Sequence, residues 1–320
     1  MYKKAPMSLL KINHLHKSFG RQSANEINAV KDISISLEKG KILAILGESG
    51  SGKTTLLHLI AALYEPDSGS LTLDGERITP PSEKLIAGHP DIKLVRQDYG
   101  LFPNMSIREN IAYELRYYEE NYRNERIDKL LKISGLEKVQ SHFPRQVSGG
   151  EQQRAVIVKA IAEEPKLLLL DEPFSHLDAV NKRRLKAEVL NLIKTEEVSC
   201  IFVTHDVADA YGMADELLIM QNGQALQLDS PEEIYKNPIN QYVAEITGEV
   251  ALSDFSKGFI RPEQIRISEK STMKAIVSSI KFLGTYFEVI LKMDDLTYKM
   301  YSFDKINVGD EIGIEIISFK

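Results

Sequence analysis

Gly47-Glu48-Ser49-Gly50-Ser51-Gly52-Lys53-Thr54 is the stretch whose reading decides the fold. An apolar run, Ile42-Leu43-Ala44-Ile45-Leu46, leads straight into it and reads as a buried strand. Thr55-Leu56-Leu57-His58-Leu59-Ile60 follows and reads as a helix. Strand, glycine loop and helix in that order make a phosphate cradle. Glycines let the backbone curl until successive N–H groups point at one cluster of phosphate oxygens. The helix N-terminus adds partial positive charge at the same place. Lys53 can reach the outer phosphates, and the Thr54 hydroxyl can ligate Mg²⁺. A chance glycine turn needs neither the strand before it nor the helix after it. The expected ligand is therefore a Mg²⁺-nucleotide, held by Gly47, Glu48, Ser49, Gly50, Ser51, Gly52, Lys53, Thr54 and Thr55.

The chain around this loop has 320 residues, enough for about two domains. Its 43% hydrophobic and 27% charged residues are those of a soluble globular protein. A net charge of −6 argues against a nucleic-acid partner. No apolar run approaches the ~18 residues of a membrane span. The densest, Leu167-Leu168-Leu169-Leu170, is bracketed by Lys166 and Asp171. Met1-Tyr2-Lys3-Lys4-Ala5-Pro6 lacks the apolar core of a secretion signal. Cys200 is the only cysteine, so no intrachain disulfide forms and a reducing cytoplasm is the simpler setting. Its surroundings, Ser199-Cys200-Ile201-Phe202-Val203, mark it as a buried strand residue.

Up to about Gly248, strands and helices mix. The apolar runs at 43–46, 167–170 and 201–203 end in polar residues, as central parallel strands covered on both faces do. Residues 104–165 turn helical. Ser106-Ile107-Arg108-Glu109 is a capping box before an amphipathic stretch expected through Tyr118. Ile127-Asp128-Lys129-Leu130-Leu131 continues the helical pattern until Gly135. Beyond Gly248 the apolar spacing becomes two, at Phe287, Val289, Leu291 and Met293, at Leu296, Tyr298 and Met300, and at Ile312, Ile314 and Ile316. The expected architecture is an α/β cassette over residues 9–246, mostly parallel sheet with a helical subdomain. A small all-β domain over 250–320 follows it.

Leu167-Leu168-Leu169-Leu170-Asp171-Glu172 is a buried strand ending in two carboxylates. One acid after a strand is an ordinary turn or cap. A pair at the carboxyl edge of the sheet lies where open α/β sheets bind ligands. Asp171 suits the Mg²⁺ shell, and Glu172 suits polarising an attacking water. Ile201-Phe202-Val203-Thr204 ends in His205, which at that edge can contact a γ-phosphate. Ser148-Gly149-Gly150-Glu151-Gln152 opens another helix. Its Ser148 and Glu151 form a capping box, yet two adjacent glycines exceed what a cap needs. They expose N–H groups at a helix start, a second anion site. One phosphate loop plus one further phosphate site in a single chain suggests a nucleotide sandwiched between two copies.

With these motifs in place, the chain resembles the ATP-binding subunits of ATP-binding-cassette (ABC) transporters. Gly47 to Thr54 is similar to Walker A, and Leu167 to Asp171 to Walker B, with Glu172 as the adjacent catalytic glutamate. Ser148, Gly149, Gly150, Glu151 and Gln152 resemble the signature that faces the partner's nucleotide. The resemblance implies that Gln97, in Val95-Arg96-Gln97-Asp98-Tyr99, is the Q-loop residue and joins Thr54 and Asp171 near the metal. It makes Asp178, in Ser175-His176-Leu177-Asp178, the D-loop acid, His205 the switch histidine, and Phe19 the ring on which adenine stacks. The motifs keep the family's order. Val147, Glu151 and His176 depart from its usual leucine, glutamine and alanine.

Phe259-Ile260-Arg261-Pro262-Glu263-Gln264-Ile265 resembles the entry to the OB-like TOBE domain of importer ATPases serving polyamine, ferric-iron, sulfate, molybdate or sugar uptake. The implied protein is an ATPase using Mg²⁺ and ATP in a head-to-tail homodimer. It would be cytoplasmic, held at the inner face of the membrane by permease subunits and served by a solute-binding protein. The alternatives are an exporter or lipoprotein-release ATPase, against which the β tail counts, and a soluble ABC ATPase acting on DNA or ribosomes. The latter needs two cassettes, a coiled coil or a basic surface. A simple P-loop kinase or NTPase is disfavoured by the Ser148 motif and His205.

Overall fold

The structure is a computed structural model, and it describes residues 8–20, 26–96, 100–175, 178–251 and 259–319. The chain divides into two compact units, Met1–Pro231 and Glu232–Lys320.

The first unit is built on a six-stranded sheet in the order β10-β9-β3-β8-β7-β6. Its members are β3 (Ile42–Leu46), β6 (Ile92–Val95), β7 (Leu167–Asp171), β8 (Ser199–Thr204), β9 (Glu216–Gln221) and β10 (Gln224–Asp229). All pairs are parallel except β9 with β10. Every residue of β3 and β8 is buried, which is why these strands read as unbroken apolar runs rather than alternating ones. Alternate residues still divide between the two faces. Leu43, Ile45, Leu167, Leu169, Ile201 and Val203 join one core with the helix α1 (Lys53–Ile60). That core also takes in an antiparallel sheet of order β2-β1-β4-β5, formed by β1 (Ser8–Phe19), β2 (Ile27–Glu38), β4 (Ser68–Leu73) and β5 (Glu76–Arg77). Each fully buried Leu or Ile here contributes roughly 1.5–3 kcal/mol.

The register decides where the chemistry lies. Leu46 pairs with Thr204 and Asp171 with Val203. The carboxyl ends of β3, β8 and β7 are therefore level and adjacent. The glycine loop, His205 and the acidic pair emerge side by side.

Three helices fill the segment expected to be helical: α2 (Ile107–Glu114), α3 (Glu120–Ile133) and α4 (Gly149–Ile161). The capping box at Ser106 and Glu109 is formed. The α2 helix stops at Leu115, short of the expected Tyr118, and Glu120 opens a separate helix. Gly135, with φ 65, lies just beyond the end of α3. The long helix α5 (Ala179–Thr195) and the short α6 (Val207–Tyr211) complete this unit.

The second unit contains α7 (Pro231–Lys236), which begins one residue before it, and α8 (Gln241–Thr247). Its five-stranded antiparallel sheet has the order β11-β15-β12-β13-β14. The strands are β11 (Ile265–Ile267), β12 (Lys274–Phe282), β13 (Phe287–Met293), β14 (Leu296–Ser302) and β15 (Glu311–Ile316). Val289, Leu291, Tyr298, Met300 and Ile314, all from the period-two pattern, form its core. Arg261 is buried there. Its guanidinium donates to the carbonyls of Tyr235, Ala244 and Glu249 and to the Thr247 hydroxyl, and stacks over the Tyr235 ring at 4.2 Å.

Candidate functional site

The glycine loop shows why its residue types are needed. Gly52 has φ 100, and a Cβ built there would lie 2.0 Å from the Ala29 carbonyl oxygen. A Cβ at Gly47 would meet the Met220 carbonyl at 2.4 Å. Gly50 also has positive φ, at 82, with open space around it. Two of the loop's glycines thus answer to close backbone approach, and two to left-handed backbone. Lys53, only 6% exposed, curls back over the loop and donates to the carbonyls of Gly47 at 2.8 Å and Glu48 at 2.9 Å. Burial depresses its ammonium, while Glu172, Asp171 and Glu48 pull it back toward the charged form.

The Thr54 hydroxyl donates to the Asp171 carboxylate at 3.2 Å. Burial raises the Asp171 carboxyl above the ordinary range, and the Thr54 hydrogen bond opposes that. A hydroxyl and a single carboxylate meeting at a phosphate loop are the hard oxygen donors Mg²⁺ takes when it keeps water and phosphate as its other ligands. The residues present therefore fit that ion. Among the described residues, no group of three or more His, Cys, Asp and Glu is arranged to hold a metal by itself.

Glu172 follows Asp171 in a left-handed turn, φ 46, with its N–H donating to the Val203 carbonyl. That bond ties it to β8. Its carboxylate meets the His205 imidazole Nδ1 at 3.1 Å. A cleft of 370 Å³ runs from Phe19, Ile27 and Ala29 across the loop to Glu172, which is the scale of a small-molecule site. Ser49, Thr54 and Thr55 line it as well. A wider recess of 480 Å³, beside Leu63, Ile86 and Arg96, shares no residue with the loop or the acids.

Ser148 caps α4, as its sequence suggests. Its hydroxyl donates to the Glu151 carboxylate at 2.7 Å and accepts the Glu151 N–H at 3.4 Å. The Ser148 bonds hold the Glu151 carboxyl below the usual range. Gln152 is turned back to the carbonyls of Pro144 and Val147. Gly149 is exposed, and a Cβ at Gly150 would meet nothing within 4 Å. Glycine in a helix costs roughly 0.5–1 kcal/mol relative to alanine, and nothing in the packing of the described residues requires it at Gly150. Asp178 caps α5, accepting the N–H groups of Val180 and Asn181 at 3.1 Å each. Gln97 and His176 lie outside the described residues.

A family model described as ABC transporter matches residues 30–175. The spermidine/putrescine import ATP-binding protein of Clostridium novyi is 32% identical, covering 97% of this chain and 95% of that protein. The chain belongs to the ABC transporter family. A TOBE domain model matches residues 259–316, so the β tail is of that kind. The sulfate/thiosulfate import ATP-binding protein of Synechocystis is 35% identical over 97% of this chain and 85% of its own length. Among solved structures, a dimeric ATP-binding cassette in a post-hydrolysis state, bound to ADP and Pi, superposes with a TM-score of 0.59 and 27% identity. It covers 69% of this chain and 98% of that one. The expected architecture of an ABC cassette followed by an all-β TOBE tail is the one found.

Sequence reasoning missed two residues that line this cleft and a third that packs on one of its lining rings. Ile27 and Ala29 come from β2, a strand that carried no motif. Tyr64, which packs on Phe19, lies past the end of α1, where no periodicity could have pointed to it.

Proposed function

We propose that this ABC-family chain is the ATPase subunit of an importer, binding and hydrolysing ATP to drive solute uptake through partner membrane subunits. The observation that carries this reading is the level alignment of Lys53, Thr54 with Asp171, and Glu172 with His205 at one sheet edge. Its relatives are import ATP-binding proteins, and the tail is of the TOBE kind. We assign residues 9–246 to the cassette, with its helical subdomain at about 104–165, and 250–320 to the accessory domain.

In this reading the loop N–H groups and Lys53 cradle the phosphates, with Lys53 exchanging its loop carbonyls for phosphate oxygens. Phe19 stacks on the base. Thr54, Asp171 and Gln97 hold Mg²⁺, which when bound neutralises charge on the phosphates. Glu172 orients and polarises the attacking water, and His205 steadies Glu172 and contacts the γ-phosphate. Ser148 to Gln152 face the nucleotide of a second copy, and the unconstrained space at Gly150 suits approach by that partner. Asp178 lies near the same junction. The Gln97 region passes closure of the dimer to membrane-spanning permease subunits, which receive solute from a binding protein. The chain then works in the cytoplasm at the membrane's inner face. Among the described residues, no helix is long and apolar enough to cross a bilayer.

The test is a pair of substitutions in the purified chain. Glu172→Gln is expected to keep ATP binding within about twofold while losing at least about a hundredfold in turnover. Lys53→Ala is expected to weaken binding itself. Near-normal steady-state hydrolysis by Glu172→Gln contradicts the assignment.

A further inference from the structure

A chain of ring contacts leads from Phe19, which lines the cleft, to the first turn of the helix that carries Lys53 and Thr54. Phe19, at the last position of β1, is 39% exposed and lines the cleft. Tyr64 meets it edge to face, with ring centroids 5.8 Å apart and planes at 77°. On its other side, Tyr64 stacks on His58 at 4.8 Å and 29°. The His58 imidazole Nδ1 is 2.8 Å from the Thr54 carbonyl oxygen, within the first turn of α1. The ring positions are set by backbone as well as by contact. After Ala62 takes a left-handed turn, φ 55, the N–H groups of Leu63 and Tyr64 both donate to the His58 carbonyl. The helix carrying Lys53 and Thr54 therefore fixes where Tyr64 stands.

The same connection holds β1 from a second point. Asp67, three residues after Tyr64, accepts the Ser18 N–H at 2.6 Å, the Ser18 hydroxyl at 3.0 Å and the Lys17 ammonium at 3.3 Å. Lys17 in turn lies 5.4 Å from the Phe19 ring centroid. A half-exposed phenylalanine at a strand end has rotamers to lose when a base stacks on it, and a ring already braced has fewer.

We propose that Tyr64 is a positioning residue for the nucleobase, holding the Phe19 ring in the orientation that receives adenine and tying that ring to the phosphate helix through His58. This rests on the assignment of Phe19 as the base-stacking ring. Tyr64 acts through Phe19 and leaves the phosphate cradle untouched, so its loss should be felt by ligands with a base and not by a bare polyphosphate.

The experiment is calorimetric titration of the full chain with Mg-ATP and, separately, with Mg-tripolyphosphate. The variants are Tyr64→Ala, Tyr64→Leu, Tyr64→Phe and Phe19→Ala. Tyr64→Leu keeps apolar bulk without the ring, and it serves should the alanine variant fold poorly. Tyr64→Ala and Tyr64→Leu are expected to weaken ATP about five- to tenfold and tripolyphosphate by less than about twofold. Tyr64→Phe is expected to restore the wild-type ATP affinity. In steady state, KM for ATP rises and kcat holds. If Phe19→Ala weakens ATP and the Tyr64 variants do not, the bracing role is wrong and the platform stands. If Phe19→Ala leaves ATP affinity unchanged, the platform falls and the bracing role with it. Equal weakening of ATP and tripolyphosphate by the Tyr64 variants, or failure of Tyr64→Phe to rescue, also overturns the proposal.

Discussion

At the scale of single residues, the glycine loop was legible because each glycine answers a local demand that sequence records. Left-handed backbone at Gly50 and Gly52, and backbone contact at Gly47 and Gly52, admit no other residue without adjustment. The two left-handed positions differ in a way the motif does not show. Gly52→Ala places a Cβ 2.0 Å from the Ala29 carbonyl, so β2 or the loop must move. Among the described residues, a Cβ at Gly50 meets nothing within 4 Å, so Gly50→Ala carries only the conformational cost, about 1–2 kcal/mol. Gly52→Ala is therefore expected to lose ATP binding at least tenfold more than Gly50→Ala, and to unfold at lower urea. Titration and denaturation of the two variants side by side check the order. The acids and His205 were legible for a similar reason, since each ends a buried apolar run. The Phe19–Tyr64–His58 stack was not legible. It depends on how the turn after α1 brings Tyr64 back beside β1, and nothing in the residues 58 to 64 states that.

At the scale of elements, strands buried on both faces announced themselves, and the antiparallel strands of the first unit did not. In β1 the pairing with β2 shifts between Ile12 and Leu15, where His14 takes left-handed backbone, and again between Leu15 and Lys17, where Asp32 of β2 does. Those irregularities destroy period-two alternation, so an apolar count along β1 shows no strand signature. The helical subdomain is held by a feature equally hidden from sequence. Arg126 of α3, 5% exposed, donates to the carbonyls of Ile161 and Ala162 at the end of α4 and to the Glu196 carboxylate at the end of α5. Burial pushes the Glu196 carboxyl up, but hydrogen bonds from Arg126 and Lys129 outweigh it and leave the group below its ordinary value. A depressed carboxyl stabilises the fold above its unfolded-state value, and that stabilisation is lost as pH falls through the lowered folded-state value. Glu196→Ala is expected to cost about 3 kcal/mol at neutral pH, because it strands a buried cation. The gap between wild type and variant in urea midpoint should narrow as pH drops below the glutamate range. A gap independent of pH contradicts the ion-pair account.

At the scale of the whole molecule, the proposed function gives one chain both halves of a nucleotide site that only a second copy would close. Lys53, Thr54, Asp171, Glu172 and His205 gather at one sheet edge, whereas Ser148 opens a helix at whose Gly150 the described residues leave space free. A sandwich of two copies accounts for both. The most direct measurement is sedimentation of the Glu172→Gln chain with and without Mg-ATP, before and after adding Ser148→Arg, with a nucleotide titration of each. The account predicts that Mg-ATP converts Glu172→Gln to a dimer. It predicts that Ser148→Arg leaves that chain monomeric, with ATP affinity within about twofold of its parent, since the arginine clashes only across the interface. Loss of ATP binding by the monomer on Ser148→Arg, or an ATP-driven dimer that survives it, would contradict the account.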